Sequence, residues 1–282
     1  MSAVAGGLAL AGVSAVASSS SHALLKSSGD KFAMQAWAQF TPMAVALPFT
    51  LWVGLPEPAI YPWLLSGWAL HSVYYLVLIW SYTTSDYSAA YPIARGVIPI
   101  FTAVLGILLL GDKLTMLALM GIAVISIGIL MLSLNQSVTR TGLIAAGLSG
   151  LINTGFTLTD AKGMRVAQDP MNFLVWYYII DGFTMPLLFA ARSRGRFLEA
   201  AKASARTGLT SGLLALFAFL PTLVAFRIAP VGAVSAIRAT SVIFSLLIGG
   251  QLLNERLESR RIGGAMLVTF GALAIIGSTT FI

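Results

Sequence analysis

The stretch Pro99-Ile-Phe-Thr-Ala-Val-Leu-Gly-Ile-Leu-Leu-Leu-Gly-Asp-Lys-Leu114 decides the fold, because the chain contains it twice. A constant shift of 143 positions carries it, without a gap, onto Val242-Ile-Phe-Ser-Leu-Leu-Ile-Gly-Gly-Gln-Leu-Leu-Asn-Glu-Arg-Leu257. The same shift puts Arg95 on Arg238, Phe101 on Phe244, Gly106 on Gly249, Gly121 on Gly264 and Gly128 on Gly271. Each copy is an apolar run that ends in an acid-base-Leu turn and is followed by another apolar run. The chain therefore reads as a tandem duplication of a membrane unit.

Composition agrees. The 282 residues are 57% hydrophobic and 10% charged, against about 25% charged in a soluble domain. The 27 glycines and 11 prolines are tolerated in membrane helices and do not imply disorder. The absence of cysteine excludes disulfides and thiolate metal sites. A net charge of +7 fits the basic loops that fix membrane orientation better than it fits a nucleic-acid partner. The N-terminal apolar run from Ala3 to Ala17 lacks the basic lead of a signal peptide and is read as a retained helix.

A spanning helix needs about 20 mostly apolar residues. The expected spans are Ala3–Leu25, Phe32–Val53, Tyr61–Tyr82, Ser88–Leu110, Leu114–Leu134, Thr141–Asp160, Met171–Arg192, Thr207–Ile228, Val231–Leu253 and Ile262–Ile282. The fold class is all-α integral membrane, in two five-helix repeats, residues 1–137 and 138–282. An odd number of helices makes the second repeat enter from the opposite side, so the repeats are inverted about an axis in the membrane plane. That architecture puts a site between the halves, near the midplane.

With the N-terminus outside, eleven Lys and Arg side chains fall at cytoplasmic junctions and four (Lys113, Lys162, Arg165 and Arg227) at the opposite face. This count favours both termini outside. The longest polar junction, Arg192 to Arg206, is expected to be an inside loop carrying five cations.

The pattern Pro-x-Phe-Thr-Ala, then Leu-Leu-Leu-Gly-acid-base-Leu-Thr, then two glycines seven apart resembles the end of each EamA-type repeat in the drug/metabolite transporter superfamily. Here it runs from Pro99 to Gly128 and again from Val242 to Gly271. Val242 departs from the proline of the first copy, and Asp112-Lys113 replaces the commoner Glu-Arg. The resemblance implies ten helices and transport of small metabolites. Among bacterial members the chain looks most like the amino acid exporters, including the aromatic amino acid exporter, and so a multi-pass protein of the inner membrane. Many eukaryotic members keep both ends in the cytosol, opposite to the charge count.

Polar groups in hydrocarbon are costly and should face the bundle interior or a wet cavity. The first span carries Ser14, Ser18, Ser21 and His22 on one face, and the sixth carries Ser149, Asn153, Thr157 and Asp160. A shift of 135 superposes Ser14 on Ser149, Ser18 on Asn153 and His22 on Thr157. The two stripes are expected on opposite walls of one cavity; the alternative is close helix packing by small residues. The third span carries His71, Tyr74, Tyr75 and Tyr82, and the seventh Trp176, Tyr177, Tyr178 and Asp181. Such side chains join an apolar body to a hydrogen-bonding tip, which suits amphipathic solutes. Asp181 is read either as a structural hydrogen-bond partner or as a carrier of a coupling proton. Arg238 is expected to fork a substrate carboxylate, and Arg95, bracketed by Pro92 and Pro99, to be structural.

Substrate contact is therefore expected at His71, Tyr74, Tyr75, Tyr82, Asn153, Thr157, Trp176 and Arg238, with Arg95 and Asp181 structural or coupling. The function expected is secondary export of small amphipathic metabolites, amino acids first, by alternating access, with Pro92, Pro99 and Gly232 as bending points. The partners are a small-molecule substrate and the lipid bilayer, with no nucleic acid, no cofactor and the chain acting as a monomer. A membrane-embedded enzyme acting on lipid or isoprenoid needs clustered acids or histidines. Only ten acids and two histidines are present, without metal-ligand spacing, so an enzyme is not expected. A channel would need a filter-like loop or a ring of repeated acids, and neither is seen.

Overall fold

The computed structural model describes residues 3–84, 87–133, 140–244 and 259–278, and these are helices and short turns. In chain order α1 is Ala3–Ser27, α2 Lys31–Ala46, α3 Tyr61–Thr84, α4 Tyr87–Leu110 and α5 Met116–Ser133. They are followed by α6 (Arg140–Val166), α7 in two pieces (Pro170–Asp181 and Thr184–Arg192), α8 (Phe197–Ile228), α9 (Val231–Ala239) and α10 (Ser259–Ser278). Among the described residues, four helical stretches are long and apolar enough to cross a membrane: Ala3–His22, Pro58–Trp80, Pro170–Arg192 and Phe197–Ile228. Shorter apolar helices lie at Ile98–Leu110, Met116–Leu132, Val231–Phe244 and Ile262–Ser278. Most of the second copy of the repeated stretch, including Glu255-Arg256-Leu257, lies outside the described residues.

Local chemistry sets the helix ends. Asp30 caps α2 by accepting the Ala33 N–H at 3.0 Å, and Asp169 caps α7 by accepting that of Met171 at 2.9 Å. Three sequence expectations change. The second span is helical only to Ala46, then tightens into a 3₁₀ turn, Leu47–Phe49, and a final turn, Thr50–Val53. The turn holds Pro48, which has no N–H to continue the ladder. The seventh span is interrupted after Asp181, because Pro186 removes the bond to the Gly182 carbonyl and its ring crowds that oxygen. Gly182 also lies against Met43, where a Cβ would come within 2.4 Å. Finally, the basic segment after Arg192 is mostly helix: the turn is confined to Ser193–Arg196, with Arg194 at φ 44° and Gly195 at φ 86°, and α8 starts at Phe197.

Several helix pairs have a counterpart when α1–α5 are exchanged with α6–α10. α1 packs on α8 and α3 on α6; α1 packs on α9 and α4 on α6; α2 packs on α8 and α3 on α7. Three pairs map onto themselves, α2 with α7, α4 with α9 and α5 with α10. In the last, Gly121 meets the Gly271 carbonyl, Gly128 meets that of Gly264, and Gly264 and Gly271 return the contacts. Rising numbers on α5 meet falling numbers on α10, so the two helices run antiparallel.

One end of the bundle is tied together across the halves. Arg165 on α6 donates to Asp112 at 2.6 Å and to the carbonyls of Phe226 and Ala229 at 2.8 and 3.0 Å. Asp112 also accepts the Val231 N–H at 2.6 Å. Glu57 accepts the backbone N–H groups of Gln168 and Asp169, both at 2.8 Å. Arg227 caps the carbonyls of Met164 and Ala167. Lys162 and Arg165, expected at a junction, stand on the last turns of α6, and Arg165 spends its fork on these ties.

Candidate functional site

A cavity of about 70 Å³, room for a handful of waters, lies among α1, α2, α3, α4, α6, α7, α8 and α9. Its polar wall includes Ser18, Ser21, His22, Gln35, Gln39, Tyr74, Tyr75, Arg95, Asn153, Tyr177, Tyr178, Asp181, Ser211 and Arg238.

The wall has a cationic side. Arg95 on α4 and Arg238 on α9 are both buried. Arg95 Nη2 is 3.2 Å from His22 Nε2, and Arg238 also acts electrostatically on His22. Arg238 Nε donates to Ser14 Oγ at 3.2 Å, and its guanidinium lies 5.2 Å from the centre of the Phe219 ring. Ser14 itself donates to the Ala218 carbonyl and accepts from Thr222 at 2.7 Å. The serine stripe of α1 thus divides its work: Ser18 and Ser21 face the cavity, while Ser14 orients the arginine.

The other side is anionic and aromatic. Asp181 accepts from the Gln39 amide at 3.2 Å and the Tyr75 phenol at 3.4 Å, and its Oδ1 is 3.1 Å from His71 Nδ1. Gln39 is fixed by its own oxygen, which accepts the Met185 N–H at 2.8 Å. That N–H lies just past the break in α7, so the interruption frees a donor that locks the residue holding Asp181. His71 Nε2 lies 3.2 Å from Asp160 Oδ2 on α6, and Tyr177 Oη is 3.3 Å from His71 Nδ1. The imidazole stands edge-on to Phe156, ring centres 4.2 Å apart. Asp160 Oδ1 and His71 Nε2 are buried with no hydrogen-bond partner among the described residues, so the 3.2 Å approach of His71 to Asp160 is an ion-pair contact and not an aligned hydrogen bond.

Of the residues expected from sequence, Tyr74, Tyr75, Asn153, Arg95, Asp181 and Arg238 line the cavity. His71 stands behind the wall and joins Asp160 to Asp181. Thr157 turns away and donates to Asn153 at 3.4 Å. Trp176 is not in the wall: its indole N–H donates to the Gly54 carbonyl at 2.9 Å, at the junction of α2 and α3. About 100° per residue separates neighbours on a helix, so turning Tyr177 and Tyr178 inward leaves Trp176 on another face. The side chain of Tyr82 lies outside the described residues. Sequence reasoning did not single out Gln35 or Ser211, and from the aromatic cluster of the seventh span it chose Trp176 over Tyr177 and Tyr178. The signal for the tyrosines was their spacing, four and three residues before Asp181.

Residues 140–277 match the EamA-like transporter family. That match supports the drug/metabolite transporter superfamily, a membrane location and transport of small solutes. A solved crystal structure is similar over 96% of this chain and 94% of its own, with a TM-score of 0.71 and 15% identity, which bears on the fold alone. A comparison with curated proteins gave no match.

Proposed function

We propose that the chain is a secondary transporter that exports amino acids across the bacterial inner membrane by alternating access. The observation that carries this reading is the two-sided charge of the cavity: Arg95 and Arg238 on one side, Asp181 with its tyrosines on the other. A zwitterion matches this charge pattern once the cavity widens beyond its 70 Å³, with its carboxylate forked by arginine and its ammonium set against Asp181, beside the phenols. Tyr74, Tyr75, Tyr177 and Phe219 offer faces to an apolar or aromatic side chain. The substrate contacts proposed are Arg238, Arg95, Asp181, Tyr74, Tyr75 and Asn153.

The ten spans form two inverted repeats, residues 1–137 and 138–282, in this reading. Supporting it, the two glycine pairs of α5 and α10 are exchanged when the halves are swapped, as an isologous two-fold contact requires. Because those helices run antiparallel, the axis lies across them, in the membrane plane. The termini face outward, so the end tied by Asp112, Arg165 and Glu57 is the outer end and is shut in this conformation. Export then requires these ties to part while the opposite end closes.

The test is counterflow in liposomes holding the purified chain. Liposomes preloaded with unlabelled L-phenylalanine should take up labelled L-phenylalanine with saturation, and unlabelled amino acids should compete. Product formation from lipid, or non-saturating flux, would replace this reading with an enzyme or a channel.

A further inference from the structure

Asp181 and Asp160 are held to one imidazole in the interior of the bundle, and the cavity reaches only one of them. We propose that His71, bridging Asp160 and Asp181, binds a proton that is exchanged for the ammonium group of the substrate, making the chain an amino acid–proton antiporter. This rests on the amino-acid reading of the cavity given above.

The partners of Asp181 are Gln39, Tyr75 and His71. Only His71 among them can carry positive charge. A buried carboxylate needs a cation beside it, so with the cavity empty the imidazolium supplies it. Asp181 lies on the cavity wall, whereas Asp160 lies behind it on α6. An entering ammonium group therefore meets Asp181 first and takes over as its counter-ion. The Nδ1–H bond of His71 then breaks. Its proton passes to the Tyr177 hydroxyl, 3.3 Å from Nδ1 and on the cavity wall, which gives its own proton to water there, and the electron pair stays on the ring. On the other side of the membrane the substrate leaves, a proton returns to Nδ1, and the cycle closes.

The surrounding groups favour this exchange at His71 rather than elsewhere. Arg238, facing Asp160 from α9, acts on it electrostatically, and a guanidinium does not give up its proton. Arg95 on α4 and His22 on α1 belong to the cationic side. Tyr75, Tyr177 and Tyr178 contribute neutral phenols, and Gln39 an amide. The unpartnered Oδ1 of Asp160 leaves the cluster one open acceptor, and Gly67 makes the space for it: a Cβ there would come within 2.9 Å of that oxygen. One neutral zwitterion leaving for one proton entering moves one positive charge inward, so both the pH gradient and the membrane potential drive export.

The test has two arms, both with the full chain. In the first, liposomes with an acid interior are given labelled L-phenylalanine outside. Uptake should exceed the no-gradient rate about ten-fold and collapse with a protonophore. In His71→Gln and in Asp160→Asn, the ratio of gradient-driven uptake to counterflow should fall about ten-fold. Uptake by the wild type that ignores the gradient, or variants that keep the ratio, would overturn the proposal and leave the amino-acid reading standing. The second arm needs no substrate. Infrared difference spectra from about pH 6 to about pH 11 should show an imidazole and carboxyl signal in the wild type that Asp160→Asn alters. Absence of that signal overturns the proton site. Its presence without any phenylalanine flux keeps the site and removes the amino-acid reading.

Discussion

Gly121 and Gly271 touch so closely that a Cβ built on Gly121 would lie 2.7 Å from the Gly271 carbonyl oxygen. Ile275, fully buried, closes the same contact with its Cγ1 at 2.8 Å. Gly121→Val has nowhere to put its methyl groups without separating α5 from α10. Overpacking of this kind costs about 1–3 kcal/mol. The melting temperature in detergent should fall by several degrees. Gly147→Ala, where nothing lies within 4 Å, is the control and should melt like the wild type. Equal melting of the two variants would mean that the helices part at little cost.

The ties between Asp112 and Arg165 predict a population shift. Arg165 holds Asp112, Phe226 and Ala229 together, and its side chain is 22% exposed. Arg165→Ala leaves Asp112 with the Val231 N–H alone. Loss of a charge-assisted hydrogen bond is worth about 1.5–3 kcal/mol, enough to move a closed bundle toward opening at this end. Spin labels at Gln168 and Lys113 should report longer separations in the variant. Unchanged distances would deny the ties a gating role.

The architecture was largely legible in the chain. The apolar runs and the repeat of Arg95 and Gly106 at Arg238 and Gly249 carried the helical membrane reading, because spacing along one helix is a local property. Helix breaks were less so. Pro186 interrupts α7 while Pro221 is carried inside α8, and which outcome occurs depends on what receives the freed carbonyl. The cavity wall was half legible for the same reason. Tyr75, Asn153 and Asp181 could be placed on a face from periodicity, but whether that face met the cavity depended on helix rotation. The His71–Asp160 contact joins α3 to α6 and has no signature in either helix alone.

The arginines are predicted to share the substrate rather than divide the roles. Sequence reasoning made Arg95 structural, but it lines the cavity as Arg238 does and is buried to the same 7% exposure. Arg238→Lys loses the fork and the bond from Nε to Ser14; Arg95→Lys loses the contact with His22. Each variant should raise the half-saturating concentration of L-phenylalanine in counterflow by about ten-fold, an effect of about 1.4 kcal/mol. A change confined to Arg238→Lys would restore the division of roles.

Trp176 and Tyr75 separate packing from binding most cleanly. Trp176 ties α7 to the end of α2 through the Gly54 carbonyl, away from the cavity wall. Gly54 has φ 67°, a left-handed geometry that glycine adopts freely, so the carbonyl is held where the indole can reach it. Trp176→Phe deletes one hydrogen bond and some packing, a loss of about 1–2 kcal/mol. It should lower the melting temperature and leave the concentration dependence of counterflow alone. Tyr75→Phe removes a phenol that donates to Asp181 at 3.4 Å on the cavity wall. That bond is long, so little stability depends on it. If Asp181 receives the ammonium group, the lost donor changes the charge environment of the site, and half-saturation should shift several-fold at nearly constant melting temperature. The reverse pattern, kinetics altered by Trp176→Phe and untouched by Tyr75→Phe, would move the substrate away from this cavity toward the junction of Trp176 and Gly54.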